Sequence, residues 1–309
     1  MQRRQFLAAA SAAAACGVSA AASRAGESGS KAEPFALKFA PHFGMFRHLA
    51  GKDLIDQLKF AADQGFTAWE DNGMISRPVE MQQKIAEAME RLGMELSVIS
   101  ALRGVWNGVN FAGADQQARD AILKALGKSV EVARRVRATR MTVVPGLEDP
   151  KLPAGYQTAN CIELLRRSCD IVEPHGLVMV LEPLNRRTNH PGVFLYESPQ
   201  AYLLCRAVDR PSCKILFDIY HQQVTEGNLI PNIDHCWNEI GYFQCADNPG
   251  RNEPGTGEIN YARVFAHLLA KGYRGAVGME HGNSQRGGPG ETAVIEAYRN
   301  LNGLLTQAS

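Results

Sequence analysis

Val178-Met179-Val180-Leu181-Glu182-Pro183 is a run of four apolar residues that stops on a carboxylate. A charge at the end of a buried strand is costly unless it is paired or bound to a metal. The pattern returns at Lys214-Ile215-Leu216-Phe217-Asp218, Gly241-Tyr242-Phe243-Gln244 and Gly275-Ala276-Val277-Gly278-Met279-Glu280, so oxygen-bearing side chains close successive runs at intervals of 36, 26 and 36 residues. If each run is a strand and each polar residue its C-terminal tip, the four meet at the mouth of a (β/α)8 barrel, where enzymes of that fold keep their active sites. A single such glutamate, taken alone, is more often a salt-bridged core residue. Four in succession point to a shared ligand rather than a hydrogen-bonded polar plug. Glu182, Asp218, Gln244 and Glu280 offer oxygen and no thiolate, which suits a hard divalent ion, Mg²⁺ or Mn²⁺, with Co²⁺ or Zn²⁺ open for a mixed site.

Outward from these four, the chain alternates short apolar runs with longer stretches of helical spacing, the pattern of a parallel sheet. Strands are expected at 37–41, 68–71, 95–100, 140–144, 178–182, 214–218, 242–246 and 276–280, and helices at 53–64, 79–92, 114–137, 158–175, 199–208, 229–237, 261–271 and 291–305. Gly65, Gly93, Gly176 and Gly272 each stand where a helix must stop before the next strand. Eight such units over residues 35–309 match one single-domain TIM barrel. An open dinucleotide-binding sheet is disfavoured, because no G-x-G-x-x-G follows the first strand.

Ahead of the barrel, Met1-Gln2-Arg3-Arg4-Gln5-Phe6-Leu7 and the alanine-rich run after it read as a twin-arginine export signal over residues 1–25, followed by a polar linker, 26–34. The expected location is the periplasm, with no stable membrane span once the signal is removed. A disordered alanine-rich tail is one alternative reading, and lipid attachment at Cys16 is another. The chain has 45% apolar and 21% charged residues and a formal net charge of +1, so no nucleic-acid partner is expected. Its seven cysteines include no C-x-x-C pair, which argues for packing roles over a zinc ribbon or redox motif.

Further candidates surround the four donors. His221, three residues past Asp218, reaches the same mouth as a ligand or a donor to a substrate oxygen. Arg251, in the loop after the seventh strand, has the donor fork to clamp a carboxylate or hydroxyls, with Glu258 in the same loop as a further substrate contact; alternatively the loop's charges only pair with one another. His42, Glu70 and Asn107 follow the first three strands and are candidates for the other half of the mouth. Trp69 and Trp106 suit stacking on a sugar ring or core packing.

Leu181-Glu182-Pro183-Leu184-Asn185-Arg186, Phe217-Asp218-Ile219-Tyr220-His221, and Gln244 followed by Asn248-Pro249-Gly250-Arg251 and Glu253-Pro254-Gly255-Thr256-Gly257-Glu258-Ile259-Asn260-Tyr261 resemble the hydroxypyruvate isomerase family. That family is one of the xylose isomerase-like TIM barrels, alongside ketose 3-epimerases and endonuclease IV. The resemblance implies that Glu182, Asp218, Gln244 and Glu280 ligate the metal, that Glu182 and Glu280 are the catalytic pair, and that His221 and Arg251 hold the substrate. It also implies a homodimer or homotetramer. The expected activity is a metal-dependent isomerase or epimerase acting on a sugar or small hydroxy-carbonyl compound through an enediolate. Alternatives on the same site are a keto-sugar lyase and a non-catalytic sugar-binding barrel. Endonuclease chemistry is disfavoured by the scarcity of strand-end histidines. His281-Gly282-Asn283-Ser284 and the export leader depart from the family pattern, and the leader turns the substrate expectation toward sugars or oxidised sugars of the periplasm.

Overall fold

Alternation along short strands sets the architecture, because successive side chains of a β-strand point to opposite faces. The computed structural model describes residues 32–102 and 107–307. The expected leader and most of the linker lie outside them, as does Trp106. Residues 32–34 already rest on the barrel: Ala32 N–H donates to the Asp63 carbonyl (3.0 Å), and the Glu33 carbonyl accepts from Arg299 Nη1 (2.7 Å).

The elements run β1 (Lys38–Ala40), α1 (Leu54–Asp63), β2 (Ala68–Asp71), α2 (Val79–Leu92), β3 (Glu95–Ser100), α3 (Gln116–Val136), β4 (Arg140–Val143), α4 (Ala154–Val172), β5 (Val178–Leu181), α5 (Ser198–Val208), β6 (Cys213–Asp218), α6 (Ile219–Thr225), α7 (Leu229–Cys236), β7 (Ile240–Cys245), α8 (Tyr261–Ala270), β8 (Ala276–Met279) and α9 (Gly287–Gln307). All eight strands pair in parallel, in the order β1-β8-β7-β6-β5-β4-β3-β2. The remaining seam, between β1 and β2, is drawn shut by Glu70 N–H donating to the Pro41 carbonyl (3.0 Å) and by a parallel bridge between His42 and Glu70. The fold is a (β/α)8 TIM barrel.

Two apolar layers follow from the alternation. Ala40, Ala68, Val98, Val180, Leu216, Tyr242 and Ala276 pack together inside the barrel. Alanines on β1, β2 and β8 leave room for the Tyr242 ring. The opposite faces of the strands, among them Phe39, Trp69, Phe217 and Phe243, pack against the helices in the larger outer layer.

Strand and helix positions agree with the expected ones to within a few residues, with one addition. A seven-residue helix, α6, begins directly after β6 because Asp218 caps it: Oδ1 accepts from the Tyr220 N–H (2.8 Å) and the His221 N–H (3.4 Å). At the mouth, the loops after β3, β4 and β5 are stitched by antiparallel bridges, Val109 to Gly146 and Leu147 to Val193. Among the described residues no helix is long and apolar enough to cross a membrane.

Candidate active site

Each expected donor lies two residues beyond an interior barrel residue: Glu182 after Val180, Asp218 after Leu216, Gln244 after Tyr242 and Glu280 after Gly278, itself two past Ala276. Period two therefore aims all four at the axis, one level above the apolar plug. Asp218 and Gln244 are fully enclosed and form the floor. Glu182 and Glu280 form part of the wall of a cavity of about 280 Å³, with Asn72, Thr142, His190, His221 and Arg251 among their neighbours. One donor atom each from Glu182, Asp218, His221 and Glu280 lies within 4.8 Å of all the others.

Enclosing this much negative charge has electrostatic consequences. Burial, reinforced by the Glu280 and Asp218 charges, holds the Glu182 carboxyl well above its ordinary range. Asp218 is raised by burial, against the opposing pull of Arg251. Burial would lower the Arg251 guanidinium, but Glu280, Asp218 and Glu182 together raise it. Arg251 Nη2 pairs with Glu280 Oε2 at 2.6 Å and stands 3.8 Å from Asp218 Oδ2. Even so, Asp218 Oδ2 and Gln244 Oε1 are buried with no hydrogen-bond partner. Buried acceptors are seldom left unpaired, and orphaned ones call for an ion or ligand. Two orphaned oxygens beside two carboxylates crowded by like charge fit a divalent cation, and the group is a candidate acidic metal site.

His221 has a fixed role in this arrangement. Its Nδ1 faces two donors, the Asn185 backbone N–H (3.2 Å) and Asn185 Nδ2 (2.7 Å), so the ring proton sits on Nε2. Burial, then Arg251, lowers the imidazole to about 3, which keeps it neutral. Nε2–H points to the cavity, 3.7 Å from Asp218 Oδ2 and 3.9 Å from Glu182 Oε1, with Arg251 Nη2 3.3 Å away. Two donors side by side make a seat for a substrate oxygen rather than a bond to each other. Arg251 has a positive φ of 52° and is anchored by its backbone, N–H to the Asp247 carbonyl (2.9 Å) and C=O from the Gly282 N–H (3.0 Å).

The other expected substrate contacts fall elsewhere. Glu70 is sealed beneath the floor, accepting from Gln244 Nε2 (2.7 Å), Tyr242 Oη (3.0 Å) and Asn72 Nδ2 (3.3 Å), and burial together with the Glu280 charge raises it to about 8. His42 turns away from the mouth: its ring nitrogens reach the Phe43 and His281 carbonyls (3.1 and 3.3 Å), and it lines a neighbouring cavity of about 530 Å³ with His48 and Arg286. Glu258 is exposed and occupied by Asn248 Nδ2 (2.6 Å) and Gln223 Nε2 (3.2 Å) within its own surroundings at the loop. Asn107 is exposed on the β3 loop and does not line the cavity. Trp69 is fully buried against Phe43, a packing role.

Sequence reading passes over Asn72, Asn185 and His190. Asn72 Nδ2 donates to Glu70 Oε1 and Glu280 Oε1, both at 3.3 Å, tying the two carboxylates together. His190 stacks edge-on against His221, ring centroids 5.4 Å apart. Position just past a strand tip is the available signal for Asn72. His190 lies mid-loop and carries none.

An acidic mouth on an eight-stranded parallel barrel defines the class, a TIM-barrel enzyme with paired carboxylates over a candidate cation site. The chain belongs to the xylose isomerase-like TIM barrel family, whose model matches residues 58–304. It is 31% identical to a putative hydroxypyruvate isomerase of Mus musculus over 79% of this chain and 89% of that protein. It is 29% identical to a 2-oxo-tetronate isomerase of Pectobacterium atrosepticum over 79% of this chain and 91% of the relative. Among solved structures, the 3-keto-D-glucoside 4-epimerase of E. coli superposes with a TM-score of 0.71 at 19% identity, covering 86% of this chain and 99% of the other, a likeness of fold. The chain is an isomerase or epimerase of this family, like hydroxypyruvate isomerase.

Proposed function

We propose that the protein is a divalent-metal-dependent isomerase of short hydroxy-carbonyl acids, exchanging carbonyl and hydroxyl between adjacent carbons through an enediolate. The observation that carries this reading is the placement of Glu182 and Glu280 in the cavity wall above two buried oxygens without partners, Asp218 Oδ2 and Gln244 Oε1. Glu182, Asp218, Gln244 and Glu280 would hold the ion, with Mg²⁺ or Mn²⁺ best suited to an all-oxygen set. When bound, it supplies electrophilic stabilisation of negative charge on the substrate oxygens.

The chain's own groups do the rest. Glu182, whose carboxyl is raised by burial and by its carboxylate neighbours, stands in the cavity wall as one member of the proton-transfer pair. One of the glutamates takes the proton from the hydroxyl-bearing carbon and the other returns a proton to the former carbonyl carbon, while the hydroxyl proton passes to the former carbonyl oxygen, so that no proton is gained or lost overall. His221 Nε2–H and the Arg251 fork converge on one region of the cavity, where a substrate carboxylate or carbonyl oxygen can accept from both. The names of the two relatives specify a three-carbon and a four-carbon 2-oxo acid, and the modest cavity agrees with substrates of that size.

The test is isomerisation of hydroxypyruvate, four-carbon 2-oxo acids and free ketoses in deuterated water by Mn²⁺-loaded protein. Deuterium at the carbon next to the carbonyl, with formation of the isomer, is the expected result. Neither exchange nor turnover with any of these compounds would sink the proposal. Export by the twin-arginine route belongs to the same proposal, and Arg3→Lys with Arg4→Lys should leave the protein in the cytoplasm.

A further inference from the structure

Glutamine is an ambiguous ligand, because rotation of its amide by half a turn exchanges an acceptor oxygen for a donor nitrogen. Only the oxygen serves a cation. At Gln244 the choice is made by a neighbour outside the donor set: Nε2 donates to Glu70 Oε1 at 2.7 Å, which leaves Oε1 on the opposite side, buried and without a partner. In the flipped amide the two oxygens would face each other and the NH₂ group would point at the ion.

Glu70 is itself held rigidly. Tyr242 Oη donates to Oε2 (3.0 Å), and Ser97 Oγ, 2.8 Å from both Tyr242 Oη and the Trp69 carbonyl, shares its single proton between them. The carboxylate passes from β2 across the barrel to Gln244 through space left by Gly278, which stands opposite Gln244 in the β7–β8 register. A Cβ at 278 would overlap Glu70 Oε2 outright and stand 2.9 Å from Gln244 Cγ. Three strands thus cooperate in one hydrogen bond.

We propose that Glu70 is a positioning residue that fixes the Gln244 amide with its oxygen toward the bound cation, with Gly278 providing the passage. The inference rests on the metal reading of the site. Oε1 of Glu70 accepts from Gln244 whether or not Oε2 carries a proton, so orientation and charge are separable. Glu70→Gln keeps an acceptor oxygen in place and is neutral. Glu70→Ala removes the acceptor, and Glu70→Asp keeps the charge but withdraws it by one methylene.

The experiment is calorimetric titration of each folded variant with Mn²⁺ alone, folding being checked by circular dichroism. Glu70→Ala and Glu70→Asp are each expected to weaken binding by roughly 10–100-fold, while Glu70→Gln stays within about threefold of wild type. In a Gln244→Ala background, Glu70→Ala should add no further loss, which a general packing role would not reproduce. If Glu70→Ala does not fold, Glu70→Asp decides. Wild-type affinity in Glu70→Asp or Glu70→Ala, or a loss in Glu70→Gln equal to that in Glu70→Ala, overturns the orientation role alone. A wild type that binds no Mn²⁺ overturns the metal site and this role together.

Discussion

The two halves of the barrel do different work. The β5–β8 half ends its strands on Glu182, Asp218, Gln244 and Glu280, groups that crowd like charge and leave buried oxygens unpartnered. In the β1–β4 half the acidic groups are tied into the protein, Asp71 taking Arg77 Nε (2.6 Å) and the Gly73 N–H (2.9 Å), and Ser97 inside β3 bridges Tyr242 and the Trp69 carbonyl. Among the described residues, its buried side-chain atoms without a partner are the neutral Trp69 Nε1 and Thr142 Oγ1, the latter on a residue that lines the same cavity. Glu70 and Asn72 are the crossing points, rooted in the first half and bonded to donors of the second. Unsatisfied electrostatics mark where ligands act, and satisfied hydrogen bonds mark the scaffold that aims them.

The contrast breaks most easily at the proton-transfer pair. Glu182→Gln and Glu280→Gln keep an oxygen for the ion but remove the base, so kcat should fall by roughly 10²–10⁴-fold with little change in KM. Retention of full solvent-deuterium exchange in either variant would move the chemistry elsewhere. Next in size is the ion's contribution to folding. Mn²⁺ at a hundredfold its Kd should add about 2.7 kcal/mol to unfolding free energy, an increment that a chelator removes. Asp218→Asn separates the two jobs of that residue, since the amide oxygen still caps α6 while the charge is gone. Its metal-free stability should equal or exceed wild type and its Mn²⁺ increment should vanish, both read by thermal unfolding.

What is legible in the chain follows the same division. Strands β5 to β8 can be read because each is an apolar run ended by a polar group, and burial makes that combination improbable without a purpose. Helix α6 is not legible: seven residues are too few to show a helical period, and the capping role of Asp218 is hidden behind its role as a donor. Glu70 stands out in the sequence but as a substrate contact, because its true partner is 174 residues away and becomes a neighbour only when the barrel closes. His42 follows Ala40 by two, as a site residue should, yet the chain leaves the strand at Pro41 and the ring is spent on carbonyls. Glu258 illustrates the limit of loop reading, since a carboxylate among turn residues is as readily a brace as a contact.

Glycines sharpen the comparison at smaller energies. Gly278 lies in the donor half with no room for a Cβ, so Gly278→Ala should destabilise the fold by about 1–3 kcal/mol, measured by denaturant unfolding, as Glu70 or Gln244 is forced aside. Gly127 offers the opposite case. It sits inside α3, on the scaffold half, and a methyl added there would meet nothing within 4 Å beyond its own helix. Alanine there restricts the unfolded chain and favours the helix, so Gly127→Ala should stabilise by about 0.5–1 kcal/mol and leave kcat and Mn²⁺ affinity untouched. Opposite signs from the same substitution would mean that glycine is space at the site and slack in the scaffold; a stabilising Gly278→Ala would show that the passage for Glu70 is not under constraint.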